Sequence, residues 1–416
     1  MRVTAPDKEY DQPLPARALN LDDKVRSSTF PWRGQFSPEL VENLIEAYCP
    51  ADVAILDPFC GSGTVLRESG THGFEAVGIE LNPAAHILSK TYTLMNLSTA
   101  TRRGLLAELT QKVYRIFPEP GLSELPQDKE ALSVAAMNEL LALKASLNPE
   151  ETILFNTLVI LLDVNNHVPT AGHLHTTFSR LVRVVEQLPF CARRVRAIHG
   201  DARSIPLPNG SVGFALTSPP YINVFNYHQN YRRSAELLGW DLLKIARSEI
   251  GSNRANRGNR FRTVIQYCLD MVSNLSELYR VCSDESRLIF VVGHESRVLG
   301  VPFYNASIIA SLATETGLFR LVLRQNRRFK NKYGMVIRED LLHLRRETVR
   351  LVPQDLAGLA RSVALRALEA ATSDVSANNK GALQEAIGMV PSVDGTPYYR
   401  ADCPDYYRNS HEQHQE

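Results

Sequence analysis

The chain has 416 residues, 22% of them charged, and a net charge of +1; this is length for two or three domains and an ample core. It has no apolar run near the ~20 residues of a membrane-spanning helix and no secretory pattern in its polar N-terminus, so a cytoplasmic protein without membrane contact is expected. The scattered Cys49, Cys60, Cys191, Cys268, Cys282 and Cys403 form no Cys-x-x-Cys pair, which predicts reduced thiols and no metal centre.

Residues 1–29 are polar and proline-containing and are expected to form an arm. Ser37 and Pro38 suit the N-cap and first position of a helix, and Leu40, Val41, Leu44, Ile45 and Tyr48 then recur at helical spacing. Val53-Ala54-Ile55-Leu56 is an apolar strand that runs into Asp57-Pro58-Phe59-Cys60-Gly61-Ser62-Gly63-Thr64. The glycines permit a tight turn and close approach of a ligand before the next helix. A second strand, Ala76-Val77-Gly78-Ile79, ends in Glu80, 19 positions after Gly61. An acidic residue about 20 residues past a glycine turn suits the ribose hydroxyls of a nucleotide in a βαβ unit. A helix-start turn alone would also use a Gly-x-Gly, but strands and acids together predict a nucleoside-type cofactor site.

Asn82-Pro83 opens another helix, and residues 86–190 read as helical, broken by Pro118 to Gly121. Val195 to His199 is a strand ending at Gly200-Asp201. Val212 to Thr217 is the next, stopping at Ser218-Pro219-Pro220-Tyr221. Prolines carry no N–H and cannot continue a ladder, and each pushes the residue before it into an extended conformation. Ser218 and the neighbouring carbonyls are therefore held rigidly beside an aromatic face, an arrangement that suits a flat, amino-bearing group. Between Lys244 and Arg262 lie Arg247, Arg254, Arg257 and Arg260 among glycines and asparagines, which predicts a flexible basic loop. A second basic stretch spans Arg320 to Arg346. Both fit phosphate contacts, with a solvated charged face as the alternative. Leu288 to Val292 is a further strand, and Phe319 to Leu323 with Met335 to Leu344 form a terminal hairpin. One amphipathic helix follows Leu351, and then a loosely ordered tail.

Asp57-Pro58-Phe59-Cys60-Gly61-Ser62-Gly63-Thr64 and Thr217-Ser218-Pro219-Pro220-Tyr221 together resemble the cofactor and catalytic blocks of the amino-group DNA methyltransferases. Phe36-Ser37-Pro38-Glu39-Leu40-Val41 is similar to that family's N-terminal cofactor-side segment. The resemblance implies a doubly wound, mostly parallel α/β sheet with a helical insertion and a terminal antiparallel hairpin. Its parts would be an arm (1–29), a cofactor half (30–85), an insertion with a possible target-recognition role (86–190), a catalytic half carrying the 244–262 loop (191–350), and a C-terminal helix and tail (351–416).

The implied cofactor is S-adenosylmethionine, held by Phe36, Asp57, Phe59, Gly61, Gly63, Thr64, Glu80 and Asp201. Phe59 could equally be core, and Asp201 a turn former. Catalysis would fall to Ser218, Pro219, Pro220 and Tyr221, the tyrosine stacking on a base flipped out of the duplex or else packing as core. Arg254, Arg257, Arg260 and Arg262 would contact double-stranded DNA. Asn223, Asn226 and Tyr227 continue the likeness. The Ser-Pro-Pro-Tyr form implies N4 of cytosine, and the family resemblance implies a restriction–modification setting with a partner endonuclease. Many N4 enzymes place the catalytic block first, so N6 of adenine is the alternative, followed by RNA or a protein glutamine.

Overall fold

Seven strands form the central sheet of the computed structural model, which describes residues 11–21, 26–118, 132–223, 227–252, 255–330, 334–347 and 355–400. In chain order the strands are β1 (Ala54–Asp57), β2 (Glu75–Glu80), β3 (Val195–His199), β4 (Val212–Thr217), β5 (Cys282–Gly293), a separate short hairpin β6 (Ser296–Val298) and β7 (Val301–Phe303), then β8 (Phe319–Lys330) and β9 (Val336–Arg346). The main sheet runs β3-β2-β1-β4-β5-β9-β8. Its first five strands are parallel, whereas β9 is antiparallel to both β5 and β8. This is the doubly wound sheet with a terminal hairpin that the sequence predicts. β1, β4 and the end of β5 are near-continuously buried, as expected of parallel strands covered on both faces.

Three apolar clusters cover the sheet. On one side α1 (Ala16–Asn20), α2 (Pro38–Tyr48) and α3 (Thr64–Thr71) pack Leu19, Leu40, Leu44 and Val65 against Ile55, Leu216 and Ile289. Between β2 and β3 the chain makes α4 (Pro83–Lys90), α5 (Thr99–Ile116), α6 (Val134–Ala142), α7 (Pro149–Leu161) and α8 (Ala171–Glu186). They share a core with Leu66, Ala76 and Val195. α4 and α7 start where asparagine caps precede proline: Asn82 accepts from Ala84 N at 3.0 Å, and Asn148 forms a capping box with Glu151. Ser37 precedes α2 as predicted, but its hydroxyl makes no cap bond.

After β4 come the short α9 (Arg232–Leu237) and α10 (Leu242–Ile245), then the 20-residue α11 (Arg262–Val281). α11 carries the third cluster together with α12 (Asn305–Glu315), α13 (Leu356–Ala370) and α14 (Lys380–Gly388). Two regions differ from expectation. A second helix, α14, follows α13 because Leu383, Ala386, Val390 and Val393 bury against that core. The basic stretch is anchored rather than loose. Asn256 donates to Gln266 Oε1 at 2.9 Å, and Asn259 donates to the Ala382 carbonyl at 2.7 Å. No described helix is long and apolar enough to cross a membrane.

Candidate active site

Strand order reverses between β1 and β4, and open α/β sheets bind ligands at the carboxyl ends of the strands flanking such a point. Asp57 ends β1 and Thr217 ends β4. The Thr217 hydroxyl donates to Asp57 Oδ1 at 2.6 Å, tying the two strand ends together. The turn after β1 passes through Gly61 (φ 54°) and Gly63 (φ 90°). A Cβ on Gly63 would lie 2.7 Å from the Tyr92 ring, so this position requires glycine for both its backbone angle and its space. Glu80, at the end of β2, accepts from Gly61 N and Asn82 N, each at 2.7 Å.

A cleft opens above these strand ends. Among the residues named from sequence, Phe36, Asp57, Phe59, Gly61, Thr64, Glu80, Asp201, Ser218 and Pro220 line it, whereas Gly63, Pro219 and Tyr221 do not. Burial pushes the Asp57 carboxyl up to about 7 and the Glu80 carboxyl likewise to about 7. Asp57 accepts from the neutral donors Thr217 and Phe59 N. A buried carboxylate bonded to neutral donors and facing a cavity favours a cationic ligand. Asp201 also reaches the cleft, but its carboxylate is engaged by Arg203 (Nε to Oδ1 2.9 Å, Nη2 to Oδ2 2.7 Å) and Tyr399 N (3.0 Å). The turn-forming bond from Arg203 N to Oδ1, 2.9 Å, is present as well.

A second cavity adjoins the first, and Gly34, Gln35, Phe36 and Ser218 line both. Arg327, Phe329 and Glu339 from the β8–β9 hairpin form its far wall. Ser218 therefore stands at the junction. The block that carries it is braced from outside: Tyr267 on α11 donates its hydroxyl to the Pro220 carbonyl at 3.0 Å, and Ile222 N donates to Asn305 Oδ1 at 3.2 Å. The Tyr221 ring packs over Gly293, where a Cβ would lie 2.7 Å from it, and lines neither cavity. The aromatic residues that do face the second cavity are Phe36 and Phe329.

Sequence reasoning missed Trp32, which lines the cleft and stacks with Tyr227 (centroids 6.4 Å, planes 12° apart) and Tyr231 (6.3 Å, 16°). It also missed Glu249, on the cleft wall and bonded to His228 Nδ1 at 2.9 Å. Of the four arginines named for DNA, Arg257 and Arg260 are exposed. Arg262 opens α11 and pairs with Glu385. Arg254 lies outside the described residues, as does Asn226.

Residues 7–91, which include the glycine turn and Glu80, match the family model described as DNA methylase of the N6/N4 type. Through this segment the chain is similar to the N6/N4 DNA methylases. S-adenosylmethionine is the cofactor of those enzymes, and the acids Asp57 and Glu80 with the glycine turn between them fit it. Type II methyltransferase M.MjaII of Methanocaldococcus jannaschii is 26% identical over 102 residues, 24% of this chain and 19% of that protein. Type II methyltransferase M.BsoBI of Geobacillus stearothermophilus is 45% identical over 53 residues, 12% of this chain and 10% of that protein. The match thus spans less than a fifth of the length of either relative. Among solved structures, a SAM-dependent methyltransferase from Methanosarcina mazei aligns over 73% of this chain and 96% of its own, with a TM-score of 0.32 and 11% identity. The rRNA methyltransferase aviRa from Streptomyces viridochromogenes aligns over 86% and 96%, with a TM-score of 0.29 and 13% identity. Likeness at that level decides nothing further.

Proposed function

We propose that the chain transfers a methyl group from S-adenosylmethionine to the exocyclic N4 of cytosine in duplex DNA. The observation that carries this reading is the position of Ser218, at the junction of a cleft walled by buried acids and a second cavity walled by aromatic and charged residues. When bound in the first cleft, S-adenosylmethionine supplies an electrophilic methyl group on a sulfonium. Asp57 would hold the amine of its methionine arm, Glu80 the ribose hydroxyls and Asp201 the adenine amino group, with Phe59 packing beside them. A base flipped out of the duplex enters from the second cavity.

An exocyclic amine is a poor nucleophile because its lone pair is delocalised into the ring. Ser218 Oγ and the Pro219 carbonyl accept its two N–H bonds and draw the nitrogen towards a tetrahedral shape, which localises the lone pair towards the methyl group. Acceptors fixed in advance need no reorganisation during the reaction. The braces from Tyr267 and Asn305 keep the block in that geometry and would hold the amine close to the methyl group; as the nitrogen–carbon bond forms the carbon–sulfur bond would break, leaving a neutral thioether, and one amine proton would pass to solvent. Arg257 and Arg260 contact phosphates. A partner endonuclease would complete a restriction–modification pair.

Labelled methyl transfer to duplex DNA, tRNA and protein, followed by nucleoside mass spectrometry, tests the reading. The expected product is N4-methylcytosine from DNA, with a roughly 100-fold loss of kcat in Ser218→Ala at unchanged cofactor affinity. Label confined to adenine, RNA or protein, or full activity in Ser218→Ala, would overturn it.

A further inference from the structure

The second cavity holds a buried ion pair that methyl transfer at Ser218 leaves unused. β9 sets Glu339 opposite Gly293 on β5 and opposite Arg327 on β8. Residues directly opposite in an antiparallel ladder share a face. Since Tyr221 covers Gly293, Tyr221, Glu339 and Arg327 form a row across the sheet end, and Ser218 lies beside Tyr221. The Arg327 side chain is 5% exposed and that of Glu339 17%, with Nε 3.4 Å from Oε2. Even so, Arg327 Nε makes no hydrogen bond. The guanidinium carbon sits 4.4 Å from the centroid of the Phe329 ring, which fixes its plane. A buried guanidinium that is incompletely bonded is costly, and a ligand offering acceptors in the cavity would relieve it.

We infer that Arg327, positioned by Glu339 and Phe329, reads the acceptor edge of the flipped base and selects cytosine over adenine. The inference rests on the proposed transfer at Ser218. Next to its amine, cytosine presents two adjacent acceptors, N3 and O2. Two N–H groups of a guanidinium meet such a pair side by side. Adenine presents N1 next to a C–H, which leaves one of those donors unpaired. A site built to bond a polar group discriminates strongly against an analogue that lacks it. Glu339 is a positioning residue: it stands beside Arg327 Nε, which leaves the two Nη groups of the guanidinium to meet the base.

Calorimetric titration of the full chain with deoxycytidine and deoxyadenosine monophosphates, in the presence of S-adenosylhomocysteine, tests this without requiring turnover. The cytidine nucleotide is expected to bind at least ~10-fold more tightly. Arg327→Met brings the two nucleotides to the same weak affinity, and the near-isosteric Glu339→Gln narrows the ratio, with S-adenosylhomocysteine affinity unchanged in both. Equal affinities in the wild type overturn the inference whatever becomes of the variants, and so does undiminished discrimination in Arg327→Met. Methyl transfer measured in parallel separates the two proposals. Discrimination without transfer to DNA overturns the function and leaves the role of Arg327 standing. Transfer to cytosine without discrimination does the reverse.

Discussion

Asp57 and Glu80 show how burial turns ordinary carboxylates into a sensor of bound charge. Unfolded, they release protons near 3.8 and 4.5, and folded at about 7. Between roughly pH 4 and 7 the folded chain therefore holds more protons than the unfolded one, and these two groups make its stability fall as pH rises through that window. A cation in the cleft favours the ionised forms. Cofactor affinity should accordingly increase from about pH 6 to about pH 8, with proton release on binding. Asp57→Asn should weaken binding and flatten the dependence. Titration calorimetry in buffers of different ionisation enthalpy measures both effects. Gly63 is the other constrained position. With φ at 90° and the Tyr92 ring 2.7 Å from a would-be Cβ, Gly63→Ala should cost about 1–3 kcal/mol in urea unfolding and lower cofactor affinity.

Among the secondary elements, the basic stretch between α10 and α11 behaves differently from its composition. Its glycines and asparagines predict a loop, yet Asn256 and Asn259 are buried and bonded, the latter to a residue on α14. Nothing local in the sequence names a partner more than a hundred positions away, so the anchoring was illegible. It divides the arginines into two kinds. Arg257 and Arg260 are exposed, while Arg262 is spent on Glu385. If the stretch meets phosphates, Arg257→Ala and Arg260→Ala should each reduce the salt slope of DNA binding by about one. Arg262→Ala should leave that slope unchanged. In the β8–β9 hairpin, similarly, Arg320, Arg324, Arg345 and Arg346 face carboxylates of Glu347, Asp340, Asp11 and Asp284. Much of what reads as a basic patch is internal pairing.

Taken as a whole, the molecule is closed by its C-terminal segment. Arg203, buried between Asp201 and Asp270, also donates to the carbonyls of Thr396 and Pro397 and to the Thr396 hydroxyl. Tyr399 N donates to Asp201, which lines the cleft above the strand ends. Truncation after Asp394 should leave that network unsatisfied, lowering stability by roughly 3–5 kcal/mol and weakening cofactor binding; denaturant midpoints and calorimetry would measure the two losses. A tail rich in polar residues gives no hint of this, because the partners lie on α11 and in the turn beyond β3. The strands, the glycine turn and the Ser-Pro-Pro-Tyr stop were legible because each is decided within a few residues, by apolar runs, by φ and by the missing proline N–H. Their order along the chain also predicts a doubly wound sheet with ligands at the carboxyl ends of its strands. Which side chains wall that site was decided only by packing. Trp32 meets Tyr227, Arg327 meets Glu339, and Tyr221 turns onto Gly293 instead of into the cavity. Each of these contacts joins residues far apart in the chain, and only burial in a shared core brings them together.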